Sequence, residues 1–168
     1  MQPSEALSTS AQIAVTLAGF AGVVVAFRNR AVHEWSKIDR LRLRILLVNS
    51  GVPFLLSILG MVLSATTIEP TMVWRFCSLI TFVIVVFIAQ GYSRSRRDFS
   101  RAEFKASGAR IWIFYTGSLL GTAAVLLQLY NVISLQTFWP FFAAIATLLV
   151  LAMAQFILLV LAVEENQS

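Results

Sequence analysis

The chain has 168 residues, 58% of them hydrophobic, and a mean hydropathy of +0.81, whereas soluble domains are ordinarily about 45–50% apolar. Its net charge of +5 is concentrated, because twelve of the thirteen Lys and Arg residues lie in 28–44 and 94–110. That placement follows the rule that short basic loops stay cytoplasmic, which leaves no charge to explain by nucleic-acid binding.

A bilayer core about 30 Å thick takes about 20 apolar residues per helical crossing. Five runs qualify: 8–27, 45–64, 71–92, 111–130 and 138–163. None alternates as a barrel strand would, so each is read as a helix. The expected fold is all-α, a polytopic transmembrane helical bundle forming one domain over 1–168. It has five membrane-spanning helices and a basic amphipathic interfacial helix.

In the first crossing Ser10, Ala14, Ala18, Gly22 and Ala26 are small and spaced by four, with Gly19 beside them. Such a ridge lets backbones approach closely, which is how helices associate in lipid. It serves packing within the bundle or contact with another subunit. Positive charge follows this run rather than preceding it, so it reads as an anchor and not a cleaved signal.

Segment 28–44 carries Arg28, Arg30, Lys37, Arg40, Arg42 and Arg44. Val32, Trp35, Ile38, Leu41 and Ile45 recur every three or four residues, opposite His33, Glu34, Lys37, Arg40 and Arg44. This predicts an amphipathic helix in the inner interface. Each charge near anionic lipid contributes about 1 kcal/mol. Together with Arg94, Arg96 and Arg97 these cations are candidates for headgroup contact or for docking a cytoplasmic partner. An exposed Asp39–Arg42 pair would add only about 0.2–0.5 kcal/mol.

The stretch from Ala11 to Arg28, with Gly19-Phe20-Ala21-Gly22 inside it, followed by Trp35 and Asp39-Arg40-Leu41-Arg42, resembles the start of small uncharacterised bacterial polytopic membrane proteins. The resemblance covers the first quarter of the chain. It implies no activity and transfers no site.

Pro53 lies inside the second crossing and removes the hydrogen bond to the carbonyl four residues back, that of Asn49. Asn49, Ser50, Gly51 and Pro53 therefore form a candidate opened stretch. It is either an ion contact, as in broken transporter helices, or a kink satisfied by neighbouring helices. In the third crossing Arg75 sits one turn inside the outer end beside Trp74. It either snorkels outward or rings an outer vestibule. Ser100 and Glu103 have capping-box spacing, and Gly108 would end that short helix.

The fourth crossing repeats the small-residue theme with Gly117 and Gly121, flanked by Thr116, Ser118 and Thr122. Trp35, Trp74, Trp112 and Trp139 lie near the ends of runs, as interface anchors or as an aromatic cage. Thr81, Gln90, Gln128, Thr147 and Gln155 form a polar path or interhelical glue of about 0.6 kcal/mol per contact.

No Asp, Glu, Lys or His occupies the middle of a crossing, so a titrating relay is missing. Lys37 and Lys105 fall in the basic stretches, and His33 and Cys77 are each the only residue of their type. This excludes a retinal Schiff base, an intrachain bis-histidine haem and the histidine pair of a metalloprotease. An intramembrane serine has no base to activate it. The expectation is a non-enzymatic protein of the bacterial inner membrane, with no catalytic, cofactor-binding or metal-binding residue and no cofactor. Its N-terminus is outside and its C-terminus cytoplasmic. The expected partners are anionic headgroups at the cytoplasmic face, further copies of itself and a possible larger membrane complex. The expected function is a self-assembling ion channel or pore, or alternatively a non-catalytic scaffold or accessory subunit.

The topology has a direct check. A cysteine placed at Glu69 should react with a membrane-impermeant maleimide in intact cells, and one placed at Lys105 only after permeabilisation. Equal labelling at both positions refutes the topology.

Overall fold

A computed structural model describes the backbone of residues 2–27, 32–97 and 111–164, and the side chains within these ranges up to 94 and from 116 to 160. The helices are α1 (Pro3–Phe27), α2 (Lys37–Ser64), α3 (Pro70–Arg97), α4 (Ile111–Tyr130) and α5 (Phe138–Glu164). A 3₁₀ turn at Val32–Glu34 precedes α2, and a π-helical turn at Asn131–Leu135 follows α4. No strand occurs among the described residues. All five helices are long and apolar enough to cross a membrane, so this is an all-α, multi-pass membrane protein.

Helix starts follow local chemistry. Pro3 and Pro70 stand first in α1 and α3, where a missing N–H costs nothing. Ser36 caps α2, its Oγ accepting from the Asp39 N–H at 3.1 Å. That cap corrects one expectation. Only the 3₁₀ turn and the first two turns of α2 occupy the described part of the basic segment 28–44. From Lys37 onward the segment is continuous with the crossing helix, while the 3₁₀ turn stands apart from it before the Ser36 cap. Ser36 restarts the helix at Lys37, and no breaker follows before Ile45, where the crossing was expected to begin.

The chain divides into two compact units. In the first, made of Met1–Ala65 and Leu148–Ser168, α1 packs along α2. Leu7, Ser10, Ala14, Leu17 and Ala21 form the buried face of α1, and Leu46, Asn49, Pro53, Leu56 and Gly60 lie on that of α2. Phe156 of α5 sets its ring 5.8 Å from that of Phe20.

The four-spaced ridge of α1 does not stay on this face. Four residues turn a helix through about 400°, so such a row drifts about 40° per step. Ser10 and Ala14 are buried, Ala18 is half-buried, and Gly22 and Ala26 are exposed.

In the second unit, Thr66–Thr147, α3 packs against α4 and the π turn. Trp74 is buried there, its ring edge-on to Phe138 at 4.9 Å and tilted to Phe141 at 6.0 Å. Trp35 is buried as well, and Trp139 is exposed. The rings of Trp35 and Trp74 therefore fill space within the chain, and that of Trp139 faces outward.

The Asp39–Arg42 pair forms, but not on the surface. Its 3.4 Å contact joins side chains only 12% and 9% exposed. Losing one partner strands a buried charge, at about 3 kcal/mol or more, whereas two apolar replacements are often neutral. Asp39→Ala should lower the thermal stability of the solubilised protein by that order, and Asp39→Leu with Arg42→Met should restore most of it. Thermal melts of both variants check this.

Candidate functional site

The expected opened stretch lies inside an unbroken helix, where proline still offers no N–H to the Asn49 carbonyl. α2 runs through Pro53 without interruption. Asn49, Ser50 and Pro53 are buried, and the Ser50 hydroxyl donates to the Leu46 carbonyl at 2.8 Å. Gly51 points to another side of the helix, half-buried, with no atom within 4 Å of where a Cβ would stand. These four residues share a stretch of chain but do not converge on a common ligand.

Five other hydroxyls behave like that of Ser50. Those of Thr16, Ser64, Thr81, Thr122 and Thr147 donate to the carbonyl four residues back, at 2.7–2.9 Å. A donor turned onto its own backbone is not available to a neighbouring helix. The interhelical glue expected of Thr81 and Thr147 is absent for this reason.

Cross-helix bonding gathers instead at the connection between α4 and α5, in Gln128, one of the residues expected to act as glue, and in Asn131, which sequence reasoning passed over. The Asn131 amide nitrogen donates to Ser78 Oγ of α3 at 2.6 Å and to the Thr137 carbonyl at 3.0 Å. Its Oδ1 accepts from the Thr137 N–H at 3.0 Å. Gln128 Nε2 reaches the Pro140 carbonyl at 2.6 Å. These bonds bracket Gln136, whose φ of 50° is left-handed and costs a non-glycine residue energy unless the surroundings impose it. A lone amide at the end of an apolar run was the available signal, since Asn commonly terminates helices. Ser57 Oγ, Gln128 Oε1 and Gln155 Oε1 are buried without a hydrogen-bond partner.

The cations separate by face. Lys37, Arg40 and Arg44 of α2 and Arg94 of α3 are exposed. Arg42 is buried against Asp39, which removes it from the expected docking surface. Arg28 and Arg30 lie outside the described residues, as do Ser100, Glu103 and Gly108, and the side chains of Arg96, Arg97 and Trp112 are not described. Arg75 is exposed near the start of α3, with no ion pair among the described residues.

The small residues also separate. Gly19 and Gly22 of α1 are exposed with open space around them, and Gly121 of α4 is half-buried with open space. Gly117 is half-buried. Cys77 is a buried free thiol. Among the described residues no three His, Cys, Asp or Glu side chains group as a metal site would require. No protein-family model, curated protein or solved structure matches the chain.

The Asn131 node has a measurable weight. Hydrogen bonds between membrane helices average about 0.6 kcal/mol, so Asn131→Leu, which removes three contacts, should destabilise the solubilised protein by about 2 kcal/mol. Thr122→Val, which removes only a bond within one helix, should change stability by less than about 0.5 kcal/mol. Parallel thermal melts check the difference.

Proposed function

We propose that the chain is a non-enzymatic protein of the bacterial inner membrane that works as an assembly of its own copies, forming a channel or pore. The observation behind this reading is one face of α1. Gln12, Gly19, Gly22 and Ala26 are all exposed and fall within an arc of about 80° on the helix. In lipid, small residues let a second helix approach, and amides such as that of Gln12 gain a partner only when it arrives.

Gly22 and Ala26 have small-x-x-x-small spacing, and no atom of the chain lies within 4 Å of a Cβ built on Gly22. The open space at Gly121 on α4 supplies a second smooth surface. Two different contact surfaces on each copy are what a closed ring requires. Around such a ring the polar groups nearest the contact are Gln12 and Thr16, both exposed. The buried Asn49 and Ser50 are a poor lining for a path between copies, and the exposed Arg75 remains a candidate for an outer vestibule.

Gly22→Leu enters open space, so it should leave the fold intact while blocking close approach. The wild-type particle in mild detergent should have the mass of several copies and should conduct in planar bilayers. Gly22→Leu should shift the particle to the mass of one chain, with helix content unchanged and conductance lost. Native mass measurement and bilayer recording check both arms. A single copy bound to a different membrane protein would favour the accessory-subunit reading instead.

A further inference from the structure

One stripe of α2 is not used by self-association through α1. Lys37, Arg40, Arg44, Leu47, Gly51, Leu55, Ile58 and Val62 follow one another at intervals of three or four residues, confining them to an arc of about 80°. Every one is exposed except Gly51, which is half-buried. The stripe is cationic over its first two turns and apolar beyond them. Gly51 forms a notch, with no atom within 4 Å of its would-be Cβ.

The acid of the first turn does not neutralise Arg40 or Arg44. Asp39 points to the buried side of α2 and contacts Arg42. Glu34, in the preceding turn, stands 3.8 Å from His33. Arg40 and Arg44 are exposed with no ion pair among the described residues. A guanidinium in this position suits a phosphate oxygen, which it can bind through two N–H donors.

The lengths fit as well. From Leu47 to Ile58 the helix rises about 16 Å at 1.5 Å per residue, close to the roughly 15 Å depth of one leaflet. We propose that this stripe is a binding site for an anionic phospholipid of the inner leaflet. Its phosphate lies against Arg40 and Arg44, and an acyl chain runs past the Gly51 notch along Leu47, Leu55 and Ile58. The assignment to the inner leaflet rests on the cytoplasmic placement of the basic segments, which the maleimide labelling tests separately.

Native mass spectrometry of the full solubilised chain, titrated with phosphatidylglycerol and with phosphatidylcholine of the same acyl chains, tests the site. The wild type should retain phosphatidylglycerol preferentially. Arg40→Gln and Arg44→Gln should each weaken that retention about fivefold, and Arg75→Gln should leave it unchanged. Gly51→Leu should weaken retention of both lipids by filling the notch. Equal retention of the two lipids by the wild type overturns the proposal. So does undiminished phosphatidylglycerol retention by the Arg40→Gln/Arg44→Gln double variant, an equal loss in Arg75→Gln, or replacement of the lipid by inorganic phosphate alone.

Discussion

A peptide group inside the hydrocarbon layer has no water to bond, so each crossing must satisfy its backbone internally. Helices do this, but the constraint also reaches the side chains. A hydroxyl on a membrane helix finds its nearest acceptor in the carbonyl one turn earlier. Ser50, Thr81, Thr122 and Thr147 all take that route. These four hydroxyls are therefore absorbed by their own helices.

Holding one helix to another is left to other groups. In the first unit the work is done by shape, through the small and branched side chains of α1 against those of α2. In the second, amides do it. Asn131 and Gln128 have longer reach than a serine or threonine and carry donor and acceptor together, so they span the gap to Ser78, Thr137 and Pro140. The aromatic group of Trp74, Phe138 and Phe141 belongs to the same unit and adds directional packing to those bonds.

The crossings were legible because hydropathy integrates over about 20 residues, and the energies involved are large. α1, α2 and α4 end at Phe27, Ser64 and Tyr130, where the apolar runs end. Facing was much less legible. The ridge through Ser10 and Ala26 looks continuous in the sequence, yet its drift carries Gly22 and Ala26 out of the α1–α2 seam. Arg42 looks equivalent to Arg40 and Arg44, but two residues on a helix are a rotation of about 200°, enough to place it inside. Asn131 gave no periodic signal at all, because its role depends on Ser78, which lies 53 residues away.

The composition of the first unit has a consequence for how the protein is made. Its first two helices leave the ribosome early, but the segment Leu148–Ser168 that completes it is synthesised only after the fourth helix. During translation the contact of Phe20 with Phe156 can form only once α5 has been made. The α1–α2 pair must wait in the bilayer as an unfinished hairpin, and a ribosome that stalls after the fourth helix leaves it so.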